Sequence, residues 1–241
     1  MDSFSRVAPY YEALMAEVPY DMWVSYLRLI WASRGLQPVE VLEIACGTGR
    51  LCRMLAADGL AMTGVDLSRQ MIEQANALGS PGGAIAYHVQ DAAELSLDKE
   101  FDAAFSFFDS LNNILEFSRF ASAVSRAYDH LRPTGVFLFD LNTAYAFEKK
   151  MFDMSDMKKT AKVRYDWHSE WDSSSRICEI TMDFWTESEA FREVHTQRAF
   201  SLSEIQVAMD DAGFGEVQIF DAYTMNPPRK NSDRIHVMGV K

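Results

Sequence analysis

Cysteine is scarce: Cys46, Cys52 and Cys178 are the only three in 241 residues, and no CxxC pair occurs. That excludes a disulfide scaffold or a cysteine-based zinc centre and fits a reducing cytoplasm. No apolar run approaches the ~18 residues needed to cross a bilayer, so no membrane span is expected. The opening Met1-Asp2-Ser3-Phe4-Ser5-Arg6 lacks a basic region followed by an apolar stretch, so no signal peptide is read there. Basic charge is in deficit, with 23 Lys and Arg against 35 Asp and Glu, a formal charge of −12. Such a chain repels polyphosphate at long range, which argues against nucleic acid and towards small-molecule chemistry. Repeats and low-complexity tracts are absent. What remains is an ordinary globular balance, 48% hydrophobic and 24% charged. It suits one large domain, or a core domain carrying an insertion.

From Val39 to Asn142, short apolar runs alternate with amphipathic segments. Strands are expected at Val39–Ile44, Ala61–Val65, Ile85–Val89, Phe101–Phe107 and Val136–Leu141. Helices are expected at Gly49–Ala57, Ser68–Leu78 and Phe117–Leu131. Continuous apolar strands alternating with helices predict a parallel sheet covered on both faces. Ser68 is placed as a helix N-cap, and Pro133 and Gly135 punctuate the passage from the long helix to the next strand. The rhythm then changes. Lys162–Trp171, Arg176–Trp185 and Phe191–Phe200 read as three strands of an antiparallel meander. One face carries Val163, Tyr165, Trp167, Ser169 and Trp171, another Cys178, Ile180, Met182 and Phe184. A helix at Leu202–Ala212, stopped by Gly213, and strands at Val217–Tyr223 and Ile235–Val240 close the chain. Residues 1–34 read as a largely helical, aromatic-rich segment.

The sharpest motif is Val41-Leu42-Glu43-Ile44-Ala45-Cys46-Gly47-Thr48-Gly49, a strand running into a glycine turn and then a helix. Glycine permits a tight turn and close approach of a ligand to the backbone. Asp66 ends the second strand, where a carboxylate can accept hydrogen bonds from both ribose hydroxyls. The third strand ends at Gln90-Asp91-Ala92, where a carboxylate could read an adenine amino group. A dinucleotide fingerprint would want a third glycine where Cys52 stands.

Taken together, these residues resemble the class I S-adenosylmethionine-dependent methyltransferases, whose motif is D/E-x-G-x-G-x-G followed by acidic residues after strands two and three. The resemblance covers about residues 39–142 and resumes at Asp211-Ala212-Gly213-Phe214; Ala45 stands where the first glycine usually sits. It implies S-adenosyl-L-methionine as cofactor, with Gly47 and Gly49 beneath its methionine portion and Glu43 holding the loop of Ala45 and Cys46. Asp66 would bind the ribose, Leu67 and Met71 would pack on the adenine, Asp91 and Ala92 would meet its edge, and Phe107 would lie near the amino group. A narrower similarity, to small bacterial members related to amino-sugar N-methyltransferases, rests on two groups of residues. These are Tyr10–Met15 with Val18–Trp23, and Phe108–Asn113 with Phe139–Thr143. It implies an N-terminal cap whose Tyr11, Tyr20 and Trp23 contact the cofactor, or else merely pack the cap on the sheet.

Methyl transfer needs an aligned nucleophile and little else, so a dedicated base is not required. Substrate-side candidates are Tyr11, Asn112, Tyr165, His168, His195 and Arg198. Asp109, Asp140 and Asn142 could form an oxygen-rich cation site, but they also suit a helix start and a loop, and no metal is assigned. Asn226-Pro227-Pro228 lies between the last two strands and reads as a turn.

The expected architecture is α/β: a seven-stranded, mostly parallel, Rossmann-like methyltransferase sheet with its last strand antiparallel. A helical cap (1–34) precedes a core of residues 39–142 and 201–241. An inserted three-stranded β meander (160–200) would roof the pocket or form a homodimer contact. The expected reaction is methyl transfer to a nitrogen or oxygen nucleophile of a small molecule. The alternatives are an NAD-dependent oxidoreductase and a non-catalytic S-adenosylmethionine-binding module.

Overall fold

The computed structural model describes residues 6–80, 82–158 and 160–241. Residues 1–5 of the expected cap therefore lie outside the described residues. In chain order, a 3-10 turn at Ala8–Tyr10 leads into helices α1 (Tyr11–Leu14) and α2 (Tyr20–Ser33). Then follow β1 (Glu40–Ile44), α3 (Arg50–Ala57), β2 (Ala61–Asp66), α4 (Arg69–Leu78), β3 (Ile85–Val89), β4 (Phe101–Ser106), α5 (Phe117–Asp129) and β5 (Leu131–Asn142). The second half holds α6 (Ala144–Glu148), β6 (Met154–Asp156), β7 (Arg164–Asp172), β8 (Ile177–Trp185), β9 (Ala190–Arg198), α7 (Leu202–Ala212), β10 (Glu216–Asp221) and β11 (Arg234–Val240).

Seven strands form one sheet in the order β10-β11-β5-β4-β1-β2-β3. β1 pairs in parallel with β2 and β4, while β11 runs antiparallel to both β5 and β10. Side-chain alternation divides the core. Val41 joins Leu27, Ile30, Leu55 and Phe105 on one face, whereas Leu42 and Ile44 join Phe101, Phe120 and Phe139 on the other. Burying both faces is what a parallel sheet under two helix layers requires.

Local chemistry sets the helix ends. The Ser68 hydroxyl accepts from the Met71 amide at 3.3 Å. Ser201 and Glu204 form a reciprocal capping box, and Gly213 closes α7 in a left-handed conformation (φ 101°). The passage into β5 differs from the sequence expectation. The strand already begins at Leu131, opposite Phe101, and bulges through Pro133–Gly135 before regular pairing resumes at Val136. Thr134 is left-handed there (φ 67°), and its amide donates to the Lys241 carbonyl at 2.9 Å. A contact from the far end of the chain thus holds the bulge.

The insertion is a separate antiparallel sheet of four strands rather than three, in the order β6-β7-β8-β9. The additional strand, β6, has three residues, too few to show an alternation. It is held by pairing Met154 with Trp167 and Asp156 with Tyr165, and by the Asp153 carboxylate accepting from the Ser169 amide at 2.7 Å. Cys178, Ile180, Met182 and Phe184 are buried on the inner face, over Phe147 and Met71. Asp166, His168 and Glu170 lie exposed on the outer face. No helix among the described residues is long and apolar enough to cross a membrane.

Candidate functional site

Everything converges on the carboxyl edge of the sheet. Between β1 and α3 the chain reverses through three left-handed residues, Ala45 (φ 58°), Gly47 (φ 54°) and Gly49 (φ 73°). Only glycine adopts that conformation cheaply, so Ala45 is strained. The two glycines are there for different reasons. At Gly49 a Cβ would lie 2.2 Å from the Tyr87 hydroxyl, so β3 packing demands its absence. At Gly47 nothing lies within 4 Å of such a Cβ, so the turn opens onto free space.

Asp66 braces this turn. One carboxylate oxygen accepts from the Gly47 amide and the other from the Ser68 amide, each at 2.8 Å. Burial raises its pKa, while those two amides pull the other way. Glu43, buried on β1, accepts from the Cys52 amide at 3.0 Å, and burial pushes its pKa up to about 8. The short helix α1 latches onto the same turn. The Glu12 carboxylate accepts from the Thr48 hydroxyl at 2.5 Å and pairs with Arg53 at 3.3 Å and Arg50 at 3.5 Å. The Arg50 guanidinium lies over the Tyr20 ring at 4.7 Å.

A cavity of about 740 Å³ opens beside the turn. Ala45, Asp66, Leu67, Asp91 and Ala92 form its floor, Tyr11 and Met15 one side, and Trp167, Met182 and His195 part of the opposite wall. A small recess continues along the turn between Tyr20, Trp23, Glu43, Cys46, Gly47 and Phe107, and Tyr11 and Ala45 border both spaces. Burial and the nearby carboxylates raise the Tyr11 pKa well above its ordinary value. Gly49 and Met71 stand behind the wall rather than on it; Met71 is buried beneath the inserted sheet. Asp91 accepts from the Ala93 amide at 2.8 Å and from Arg119 at 2.6 Å.

Of the substrate-side candidates, Tyr11 and His195 face the cavity and four do not. His168 is on the outer face, its side chain 60% exposed, paired with Asp153 at 3.4 Å. Tyr165 packs on Trp167 with ring centroids 5.1 Å apart. Arg198 donates to the Leu115 carbonyl at 2.9 Å and to Glu204 at 2.7 Å. Asn112, fully buried, donates to the carbonyls of Asn142 (3.1 Å) and Arg198 (2.8 Å) and accepts from the Asn142 amide (2.9 Å). It staples the inserted sheet to the core. His195 is buried with its Nε2 2.7 Å from Glu193, which also accepts from the Arg6 and Val7 amides at 2.9 and 3.0 Å. Burial would raise the Glu193 pKa, but His195 and those amides outweigh it and hold it down.

Sequence reasoning grouped Asp109 and Asp140 but missed Arg234 and Gln197, which join them at the cavity's far end. Phe108 and Asp109, after β4, are both left-handed (φ 66° and 50°). Asp109 accepts from Arg234 and from Gln197, each at 2.7 Å, while its amide donates to Asp140 at 2.9 Å. Arg234 also bonds Asp140, so a guanidinium sits between the two carboxylates considered for a cation site. Burial raises the Asp109 pKa, with Arg234 acting against it and Asp140 with it. No signal short of the β5–β11 pairing could have brought Arg234 here.

The donor set fits S-adenosylmethionine. It offers a left-handed turn open at Gly47 and a braced acid at the end of β2, Asp66, suited to a ribose, with the Glu43 carboxyl bordering the recess along the turn. Residues 41–135 match the family described as a methyltransferase domain. A protein of Geobacillus sp. (strain WCH70), provisionally named a methyltransferase, is 29% identical over 99% of this chain and 100% of its own. An S-adenosylmethionine-dependent methyltransferase from Clostridium acetobutylicum ATCC 824 superposes with a TM-score of 0.83 at 23% identity, covering 98% of each chain. The sugar N-methyltransferase KedS8 from Streptoalloteichus sp. ATCC 53650 gives 0.81 at 20% identity, over 100% of this chain and 95% of its own. Residues 41–135 thus match a methyltransferase domain, and the whole chain shares the fold of S-adenosylmethionine-dependent methyltransferases.

Proposed function

We propose that the floor of the cavity holds the cofactor and that the inserted sheet roofs the methyl acceptor, a small molecule with a nitrogen or oxygen nucleophile. The observation that carries this is Asp66: one carboxylate fixes the glycine turn and faces a cavity large enough for two ligands. When bound, S-adenosylmethionine supplies a methyl group on a sulfonium, open to in-line attack. Asp66 takes the ribose hydroxyls, Asp91 and Ala92 meet the adenine edge, and Leu67 packs on its face. Glu43 and Gly47 line the methionine end, with Tyr11, Tyr20, Trp23 and Phe107 closing over it. Gly49 and Met71 support that surface from behind. Tyr11 borders both spaces and excludes water between them, and alignment with desolvation supplies the acceleration. His195, its Nε2 held by Glu193, is the imidazole that the roof turns towards the acceptor.

The roof reading is favoured over a homodimer contact because the insertion turns a mainly apolar face inward, with the buried Glu193–His195 pair upon it, and exposes Asp166, His168 and Glu170 outward. Three buried, free thiols suit a cytoplasmic setting. Calorimetry tests the cofactor half. S-adenosylhomocysteine should bind with NAD much weaker, and Asp66→Ala should cost about 1.5–3 kcal/mol of that affinity. Preferential NAD binding, or unchanged affinity in the folded variant, would overturn it. A turnover screen with labelled S-adenosylmethionine against metabolite pools tests the acceptor half.

A further inference from the structure

The two halves of the cavity differ in chemistry, and the roof half restricts what can lie under it. Trp167, Ile180, Met182 and Phe184 form its wall, and Met151 and Met154 its lip, 45% and 42% exposed. Of the polar groups there, the Trp167 indole N–H is buried without a hydrogen-bond partner among the described residues, whereas the next two are engaged. Gln197 gives its amide nitrogen to Asp109 and takes the Asn142 side chain on its oxygen, and the His195 Nε2 is held by Glu193. One acceptor atom can be met by the Trp167 N–H, but the several hydroxyls of a polyol would lose water at this wall with a single donor to replace it, which is costly.

Charge points the same way. Among the described residues lining the cavity, the two arginines are both committed, Arg119 to Asp91 and Arg234 to Asp109 and Asp140. Carboxylates are in surplus, with Asp66, Glu116 and Asp233 also on the wall. A phosphate or carboxylate on the acceptor would meet net negative charge and no uncommitted guanidinium. Methionine at lip and wall is an adaptable, polarizable lining that favours contact with the edge of a flat ring.

From these observations we infer that the acceptor is a neutral or cationic molecule with an apolar, ring-sized body, and is neither a polyanion nor a polyol. The inference rests on the reading of the inserted sheet as the acceptor's roof. The ring lies against Trp167, Met182 and Phe184 with its nucleophilic atom directed to the Tyr11 side, where roof and floor meet.

Calorimetric titration with two probes tests it: 4-phenylphenol as the neutral ring and uridine diphosphate glucose as the polyanionic polyol. Both are titrated into protein saturated with S-adenosylhomocysteine and into the protein alone. The expected result is that 4-phenylphenol binds, uridine diphosphate glucose neither binds nor competes, and Met182→Glu weakens the ring by about tenfold or more. Met154→Glu, at the exposed lip, provides a variant that does not disturb the buried face and should weaken the ring by a smaller factor. Tighter binding of the sugar nucleotide overturns the inference. So does failure of 4-phenylphenol to bind in either state, or binding undiminished in both variants. Loss of S-adenosylhomocysteine binding would count against the cofactor reading instead, and the titration of the protein alone still decides the roof.

Discussion

Floor and roof of this cavity are built on opposite plans. The floor is polar, and backbone amides hold its side chains: Gly47 and Ser68 on Asp66, Cys52 on Glu43, Ala93 on Asp91. The roof is a mainly apolar sheet face over Phe147 and Met71, which keeps the buried His195–Glu193 pair inward and exposes Asp166, His168 and Glu170 on its outer side. A floor fixed by backbone geometry can change few residues without losing the turn. A roof fixed by strand pairing can change its inward side chains and keep its shape. That difference is what an enzyme with one cofactor and a selectable acceptor needs, and under the proposed function specificity would reside in β6–β9.

The two plans meet at Asp109, Asp140, Arg234 and Gln197, so the largest effect should come from breaking that joint. Arg234→Met leaves two buried carboxylates unpaired and should cost about 3–5 kcal/mol in urea unfolding. A small loss would mean that roof and floor are not coupled there. The next test is a slope rather than a step. Because folding raises the Glu43 pKa from 4.5 to about 8, the folded state binds more protons than the unfolded state between those values. Its contribution to stability is therefore full below pH 4.5 and lost as the pH rises through about 8. Glu43→Gln, whose carbonyl still accepts from Cys52, should flatten that fall in thermal unfolding followed against pH. A mutant curve parallel to the parent's would show that floor burial does not perturb this group.

Smaller effects sharpen the contrast. Ala45→Gly relieves a left-handed alanine at the price of extra chain entropy, and should raise stability by about 0.5–1 kcal/mol without weakening S-adenosylhomocysteine. The smallest belongs to the roof's outer face. His168→Ala removes an exposed side chain with one ion pair and should shift stability by no more than about 0.5 kcal/mol, with turnover unchanged. A large loss of turnover would place His168 in the chemistry, against the geometry.

Much of this molecule was legible because its signals are local. The periodicity of Val39–Asn142, the Ser68 cap, the Gly213 stop and the glycine turn followed by Asp66 each depend on neighbours in sequence, and the sheet follows from their order. Alternation in β7 and β8 likewise announced an inward and an outward face. The short strand β6 was not legible, because three residues carry no period and only pairing with β7 makes them a strand. Nor was the bulge at Thr134, which the carbonyl of Lys241 holds from the far end of the chain. The candidate residues divide on the same line. The floor acids sit at strand ends that a parallel fold must bring together, whereas His168 and His195, both on the insertion, differ only in which face their strand turns inward. Tertiary packing alone made His195 a wall residue and Asn112 a staple, and it alone set Arg234 between two carboxylates. Sequence determined the turn and the cofactor edge through backbone constraints within a few residues. The roofed half of the cavity came from contacts such as Asn112–Arg198 and Asp109–Gln197, 86 and 88 residues apart in the chain, and such contacts exist only once the two sheets are packed.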